Sequence, residues 1–151
     1  MPEVFISLGS NLDAKKNMRL VKTHLDSYFS VTYSSIYESP AEGFEGENFL
    51  NMVCKFESKI SPYEIRDILK SIEKEMGRTL NQKGMSNRVI DLDLILYGDL
   101  VIKDAELELP SSDIQDYNFV LQPLAEIAPD LVHPTLKKNI EDLLTLSLIH
   151  I

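Results

Sequence analysis

Cysteine occurs once in this chain, at position 54. A lone cysteine excludes an internal disulfide framework and suits a reducing compartment. It sits in the alternating run Leu50, Met52, Cys54, Phe56, which reads it as a small buried apolar group rather than a nucleophile. No apolar stretch is long enough to span a bilayer, and the N-terminus lacks a basic-then-apolar targeting pattern. The expectation is a cytoplasmic protein with no membrane partner. Basic residues are also scarce: 15 Lys and Arg against 24 Asp and Glu leave a net charge of −9. A nucleic-acid surface needs a basic stripe, so no nucleic acid is expected as a partner. Any anionic ligand must then be held by a local cluster or a metal. Repeats, low-complexity segments and linker-like composition shifts are missing too. The 151 residues therefore read as one domain, 1–151.

The most informative stretch is Arg88-Val-Ile-Asp91-Leu-Asp93-Leu-Ile-Leu-Tyr97. Two carboxylates stand inside an apolar run that reads as a β-strand. Asp91 and Asp93 then share a face, about 6.6 Å apart along the strand. Ile90, Leu92, Leu94 and Leu96 take the opposite face and can bury against a core. Two like charges this close repel unless a positive group sits between them. Hard cations such as Mg²⁺ take oxygen ligands and often use one or two carboxylates plus substrate phosphates. Arg88 could then meet a phosphate oxygen. The alternative is a solvated strand face of alternating charge.

The rest of the chain supplies a frame. Val4 to Leu8 reads as a first strand closed by Gly9-Ser10-Asn11, and Met18, Val21, Leu25 and Tyr28 follow at helical spacing. Val31 to Glu38 alternates as a second strand. A loop with Pro40, Gly43 and Gly46 precedes a third, Asn48 to Ser58. Ser61-Pro62-Tyr63-Glu64 is a capping box with proline at the first helical position. The helix it opens carries Ile65, Ile68, Leu69, Ile72 and Met76, and Gly77 ends it. Arg78 to Arg88 has no period and reads as a mobile loop. Gly98-Asp99 looks like a turn, after which Leu100 to Ile102, Leu107 and Leu109 extend the sheet. Pro123 fits the first turn of a short helix ending near Ala128-Pro129, and Asn139 to Leu146 suggests a last one. The predicted fold is α+β: a ferredoxin-like β-α-β-β-α-β core, with an antiparallel sheet flanked by helices in three α/β/α layers.

With these pieces in register, the chain resembles the 6-hydroxymethyl-7,8-dihydropterin pyrophosphokinase family. The resemblance runs from Val4 to Pro134. It is carried by Leu8-Gly-Ser-Asn11, Tyr37-Glu-Ser-Pro40, Asn48-Phe-Leu-Asn51, Gly77-Arg78, Arg88-Val-Ile-Asp-Leu-Asp93, Leu96-Tyr-Gly98, Leu109-Pro110 and Pro123-Leu-Ala-Glu-Ile-Ala-Pro129. It implies transfer of diphosphate from ATP to the pterin hydroxymethyl group, with release of AMP, in folate biosynthesis. Asp91 and Asp93 would hold two Mg²⁺ ions against the triphosphate, and Arg88 and Arg78 would bind phosphate oxygens as their loop closes over ATP. Phe49 and Phe119 match positions whose rings sandwich the pterin. Asn51 matches the amide that pairs with its edge, and Ser39 and Pro40 match a segment of main-chain polar contacts. Packing roles for Phe49 and Phe119, and surface pairing of the two arginines with Glu73 or Glu75, stay open.

The chain departs from the family pattern on the nucleotide side. Leu80 stands where the family usually has a second arginine, and Ser111, Ser112 and Tyr117 replace a histidine, an aromatic and an arginine. Those three remain the expected ATP contacts, through uncharged hydrogen bonds, and Lys83, in the same loop as Arg78 and Arg88, would compensate in part. The leading expectation is a monomeric Mg²⁺-dependent pyrophosphokinase acting on ATP and 6-hydroxymethyl-7,8-dihydropterin. A diverged pterin-binding paralogue with weak or no diphosphate transfer is the alternative. A third reading is a Mg²⁺-dependent transferase for another hydroxymethyl heterocycle. His24, His133 and His150 read as surface residues, Tyr37 as packing near the pocket mouth, and the acidic loop from Glu42 to Glu47 as solvated.

Overall fold

Strand β1 (Glu3–Ser10) is buried on both faces because its odd and even positions feed two different cores. Val4, Ile6 and Leu8 enter one, and Phe5 enters the other. A strand apolar on both sides belongs in the middle of a covered sheet. β1 accordingly pairs antiparallel with β4 (Phe49–Glu57) on one side and β5 (Asp91–Tyr97) on the other. Beyond β4 lie two short strands, β2 (Thr32–Tyr33) and β3 (Tyr37–Ser39), each antiparallel to it. This computed structural model describes residues 1–41, 46–77 and 89–149.

Two helices cover the first face. Helix α1 (Ala14–Asp26) contributes Met18, Val21 and Leu25, and α2 (Pro62–Glu75) contributes Ile65, Leu69 and Ile72. They pack on Val4, Ile6, Leu8, Met52, Cys54, Phe56, Leu92 and Leu94. The N-cap half of the capping box forms: the Glu64 N–H donates to Ser61 Oγ at 3.2 Å, Pro62 opens the helix, and Gly77 leaves it at φ +95°. Cys54 is fully buried, and burial pushes its thiol pKa up. After α3 (Asp113–Asp116), α4 (Asn118–Ile127) and α5 (Ile140–Ile149) cover the second face. Their Val120, Leu121, Leu124 and Ile140 meet Phe5, Val53, Ile95 and Leu96. Element order and layers are those of an α+β ferredoxin-like core with its second strand split in two.

Six expectations need correction. The second strand breaks at Ser34 because its N–H and hydroxyl bond to Val53, and because Ser35 turns to donate its N–H and hydroxyl to Glu126. Tyr28 is exposed, since α1 ends at Asp26 and Phe29 takes the inward position, stacking on Phe56 at 3.9 Å. Leu96 does not share the face of Ile90, Leu92 and Leu94. The β1–β5 register jumps from Ile6↔Leu94 to Phe5↔Leu96, and the extra residue of this bulge sends Ile95 and Leu96 into the second core. Residues after Gly98 do not extend the main sheet. They form a separate ribbon, β6 (Ile102–Lys103) with β7 (Glu108–Leu109), whose Leu109 packs into the first core. Pro123 lies inside α4 rather than in its first turn. The helix starts earlier because extended Tyr117 caps it, its carbonyl accepting the N–H groups of Val120 and Leu121 at 3.0 Å. His133 is buried, not on the surface: Nδ1 accepts N–H bonds from Thr135 and Leu136 at 3.3 and 3.1 Å.

Candidate functional site on the sheet

The polar residues on the second face of the sheet lie beyond the edge of its apolar core. In an antiparallel pair, directly opposed residues point to the same side. The registers Asn51↔Gly9↔Asp91 and Val53↔Ser7↔Asp93 therefore make two rows across three strands. With strands about 4.8 Å apart, Asn51 and Asp91 stand about 10 Å apart, and only Gly9 lies between them. A Cβ on Gly9 would sit 3.5 Å from Asn51 Oδ1 and 3.8 Å from Phe49 Cδ1, ordinary contacts that fill this gap.

Ser10, the last residue of β1, and Asn11 after it fasten both site strands. Buried Ser10 donates its hydroxyl to the carbonyl of Val89, just ahead of β5. Buried Asn11 donates to the carbonyl of Glu47, just ahead of β4, at 3.1 Å. Among the described residues β5 is an edge strand, and Glu73 covers it: this α2 carboxylate is 8% exposed and accepts the Leu92 N–H at 2.8 Å. It thus holds the peptide between Asp91 and Asp93. A charged residue among Leu69, Ile72 and Met76 is the sequence signal for Glu73. Its target strand could not be read from that spacing.

On β4 the expected pterin residues come together. Asn51 is 4% exposed and donates to Ser39 Oγ at 2.8 Å and to the Tyr37 carbonyl at 3.3 Å. Phe49 pairs with Ser39 across the same edge, and exposed Pro40 follows directly. Phe119 lies in the first turn of α4, which packs on β4 and β3, and is 36% exposed. At the other end of that helix, Glu126 accepts from the Ser35 N–H at 2.9 Å and from the Tyr37 hydroxyl at 2.6 Å. This bond pushes the Tyr37 phenol up to about 12 and holds the Glu126 carboxyl below its usual range. Tyr37 therefore ties the β3 edge to α4.

The nucleotide-side expectations lie along α3 and its approach. The Ser111 N–H donates to the Ile95 carbonyl at 3.0 Å, and its hydroxyl accepts from the Asp113 N–H at 3.2 Å. The Ser112 N–H donates to Glu108 at 3.0 Å, which lowers the pKa of that carboxyl. Burial, then the charge of Asp91, raises the pKa of Asp113, and the Ser111 bond to Ile95 of β5 sets this flank against the diacid strand. Tyr117 stacks on Phe119. Arg78, Arg88, Leu80, Lys83, Glu42 and His150 lie outside the described residues. Among the described residues, no group of three or more His, Cys, Asp or Glu side chains is placed to hold a metal ion. The candidate cation donors are Asp91 and Asp93, hard oxygen ligands on one face. Such a pair suits Mg²⁺, which completes its shell with water and phosphate oxygens.

By fold and face, this is a ferredoxin-like α+β protein with a polar site on its sheet. Residues 5–129 match the 7,8-dihydro-6-hydroxymethylpterin-pyrophosphokinase (HPPK) family. The chain is 35% identical over 145 residues to the 2-amino-4-hydroxy-6-hydroxymethyldihydropteridine pyrophosphokinase of Aquifex aeolicus, covering 94% of this chain and 90% of that protein. To the Haemophilus influenzae protein of the same name it is 38% identical over 144 residues, 89% and 86% of the two chains. It is also 37% identical over 136 residues to the Folic acid synthesis protein FOL1 of Dictyostelium discoideum, covering 88% of this chain but 20% of that longer protein. A crystal structure of Plasmodium falciparum HPPK-DHPS with pteroate superposes with TM-score 0.82 at 12% identity, over 99% of this chain and 45% of that one. That likeness establishes the fold. The chain belongs to the HPPK family.

Proposed function

We propose that this chain transfers the β,γ-diphosphate of ATP to the hydroxymethyl oxygen of 6-hydroxymethyl-7,8-dihydropterin. The new bond joins that oxygen to the β-phosphorus, the bond from the β-phosphorus to the α,β-bridging oxygen breaks, AMP leaves, and the hydroxyl proton is lost. The observation that carries the reading is the row Asn51–Gly9–Asp91 in a chain of this family. It sets an amide and a carboxylate on one face with a glycine between them, an arrangement that suits a heterocycle on one side and a triphosphate on the other.

Asn51, its amide N–H groups engaged by Ser39 and Tyr37, presents Oδ1 to the gap above Gly9, and so accepts a pterin N–H. Phe49 and Phe119 stack on the ring, and Ser39 and Pro40 supply polar contacts at its edge. Asp91 and Asp93 would hold two Mg²⁺ ions, whose chemistry when bound is to neutralise the triphosphate and align its β-phosphorus. Arg78 and Arg88 meet phosphate oxygens, and Ser111 and Ser112 donate uncharged hydrogen bonds. With Glu108, Asp113 and Asp116 beside those serines, bare ATP is repelled from this flank, which favours nucleotide bound as its metal complex. The reading includes a single domain acting as a cytoplasmic monomer. Buried Cys54 supports a reducing compartment, the charge of −9 speaks against a nucleic-acid partner, and no helix among the described residues is long and apolar enough to cross a membrane.

The comparisons lend no support to a diverged binding paralogue. A pair of substitutions tests the assignment. Asp93→Ala should abolish metal-dependent turnover while pterin affinity stays, and Asn51→Ala should weaken pterin binding first. Turnover surviving Asp93→Ala would overturn the diacid role, and unchanged pterin affinity in Asn51→Ala would overturn the pocket.

A further inference from the structure

Tyr117 stands at a position where the resemblance implies a nucleotide-binding arginine, and the structure gives it other company. Its backbone is extended (φ −131°, ψ 121°) between α3 and α4. Its N–H donates to the Asp113 carbonyl at 3.1 Å, and its carbonyl accepts from Val120 and Leu121. Bonds on both sides fix the backbone, and with it the direction in which the side chain leaves the chain. The Tyr117 ring stacks on Phe119 with centroids 4.8 Å apart and planes 26° from parallel, within the offset geometry that aromatic pairs prefer. The backbone of its partner is equally fixed, because the residues after Phe119 anchor α4 in the second core through Val120, Leu121 and Leu124. At the far end of the helix, Glu126 ties it to Ser35 and Tyr37.

Tyr117 and Phe119 are each 36% exposed. An exposed phenylalanine in the first turn of a helix samples several rotamers, and freezing them on binding weakens affinity. A second ring already packed against it removes most of that cost. We propose that Tyr117 is a positioning residue for the heterocycle: it backs Phe119 and holds that ring in place for stacking on the substrate. The inference rests on the assignment of Phe119 to the pterin site. It moves Tyr117 from the nucleotide clamp to the pterin wall, so the replacement of a basic residue changes its task rather than merely removing a charge. The phenol oxygen is dispensable in this role and the ring is not.

Calorimetric pterin affinity and MgATP affinity, measured on Tyr117→Phe, Tyr117→Ala, Phe119→Ala and the double alanine protein, test this. Tyr117→Ala should weaken pterin binding about 2- to 12-fold, the value of a stacked aromatic pair, with MgATP affinity within about twofold of the parent. Tyr117→Phe should restore pterin affinity. In the Phe119→Ala background, Tyr117→Ala should have no further effect, because the two rings act as one unit. A MgATP loss in Tyr117→Phe with pterin affinity intact would return the hydroxyl to the nucleotide and overturn the proposal. So would a full additional loss in the double variant. If Phe119→Ala weakens pterin binding and Tyr117→Ala does not, this inference alone fails. If Phe119→Ala binds pterin as the parent does, the pterin-wall assignment fails with it.

Discussion

Replacing Glu73 with alanine should loosen the strand that carries both site aspartates. Glu73 is 8% exposed and accepts the N–H of Leu92, which lies on an edge strand between Asp91 and Asp93. Truncation leaves that amide without the carboxylate. A hydrogen bond to a charged group contributes about 1.5–3 kcal/mol, and an orphaned buried donor costs a similar amount. A chain of this size shifts its melting temperature by about 2–4 °C per kcal/mol. The Leu92 bond alone therefore predicts a fall of about 3–12 °C. Relief of the buried charge acts in the opposite direction, and Glu73→Gln isolates it by keeping an amide acceptor and the side-chain volume. Glu73→Gln should stay within about 1 kcal/mol of the parent while Glu73→Ala does not. Calorimetric unfolding measures both, and amide exchange at Leu92, protected in the parent, should rise in the alanine protein. Equal unfolding of Glu73→Ala and the parent, with Leu92 still protected, would refute the fastening role.

Gly9→Ala should unfold like the parent, since its new methyl meets Asn51 Oδ1 at 3.5 Å and Phe49 at 3.8 Å. It should also lose most pterin affinity by filling the gap in the Asn51–Asp91 row; calorimetric binding at parental strength would show that no ligand lies there. Glu126→Ala should lower pterin affinity more than MgATP affinity, because Ser35 and Tyr37 lose the carboxylate that ties the β3 edge to α4. Equal losses for the two substrates would contradict that role. His133 adds a pH dependence. Burial lowers its folded-state pKa, so the unfolded chain takes up the proton first, and stability is lost as pH falls below about 6.5. His133→Gln should flatten chemical-denaturation stability as pH falls below about 6.5, and a slope identical to the parent's would exclude His133 as its source.

The diacid face was readable because strand alternation is local: Asp91 and Asp93 needed only a period of two. The Ser61 cap and Gly77 stop were equally local, and both stand where predicted. Leu96 was misread because the bulge at Ile95 is set by pairing with Phe5 and Ile6 on another strand. The same limit applies to Glu73, whose burial depends on β5 approaching α2; His133 differs, because its imidazole accepts the Thr135 and Leu136 amides of its own turn, a local bond that residue type alone does not announce. Asn51 and Ser39 matched family positions, and the structure adds the bond between them. Tyr117 shows the converse. Family position pointed to the nucleotide, whereas its packing is aromatic. A side chain's neighbours follow from tertiary structure, and a substituted position can keep its place in a fold while changing its contacts.

Diphosphate transfer on the face joining Asn51, Gly9 and Asp91 can be measured through its leaving group. The most direct measurement is AMP formation from MgATP and 6-hydroxymethyl-7,8-dihydropterin, resolved by chromatography, with Asp93→Ala as the control. AMP and pterin diphosphate appearing in equal amounts, only with both substrates and an intact Asp93, is the predicted result. No AMP from a folded protein that still binds pterin, or equal AMP from Asp93→Ala, would contradict it.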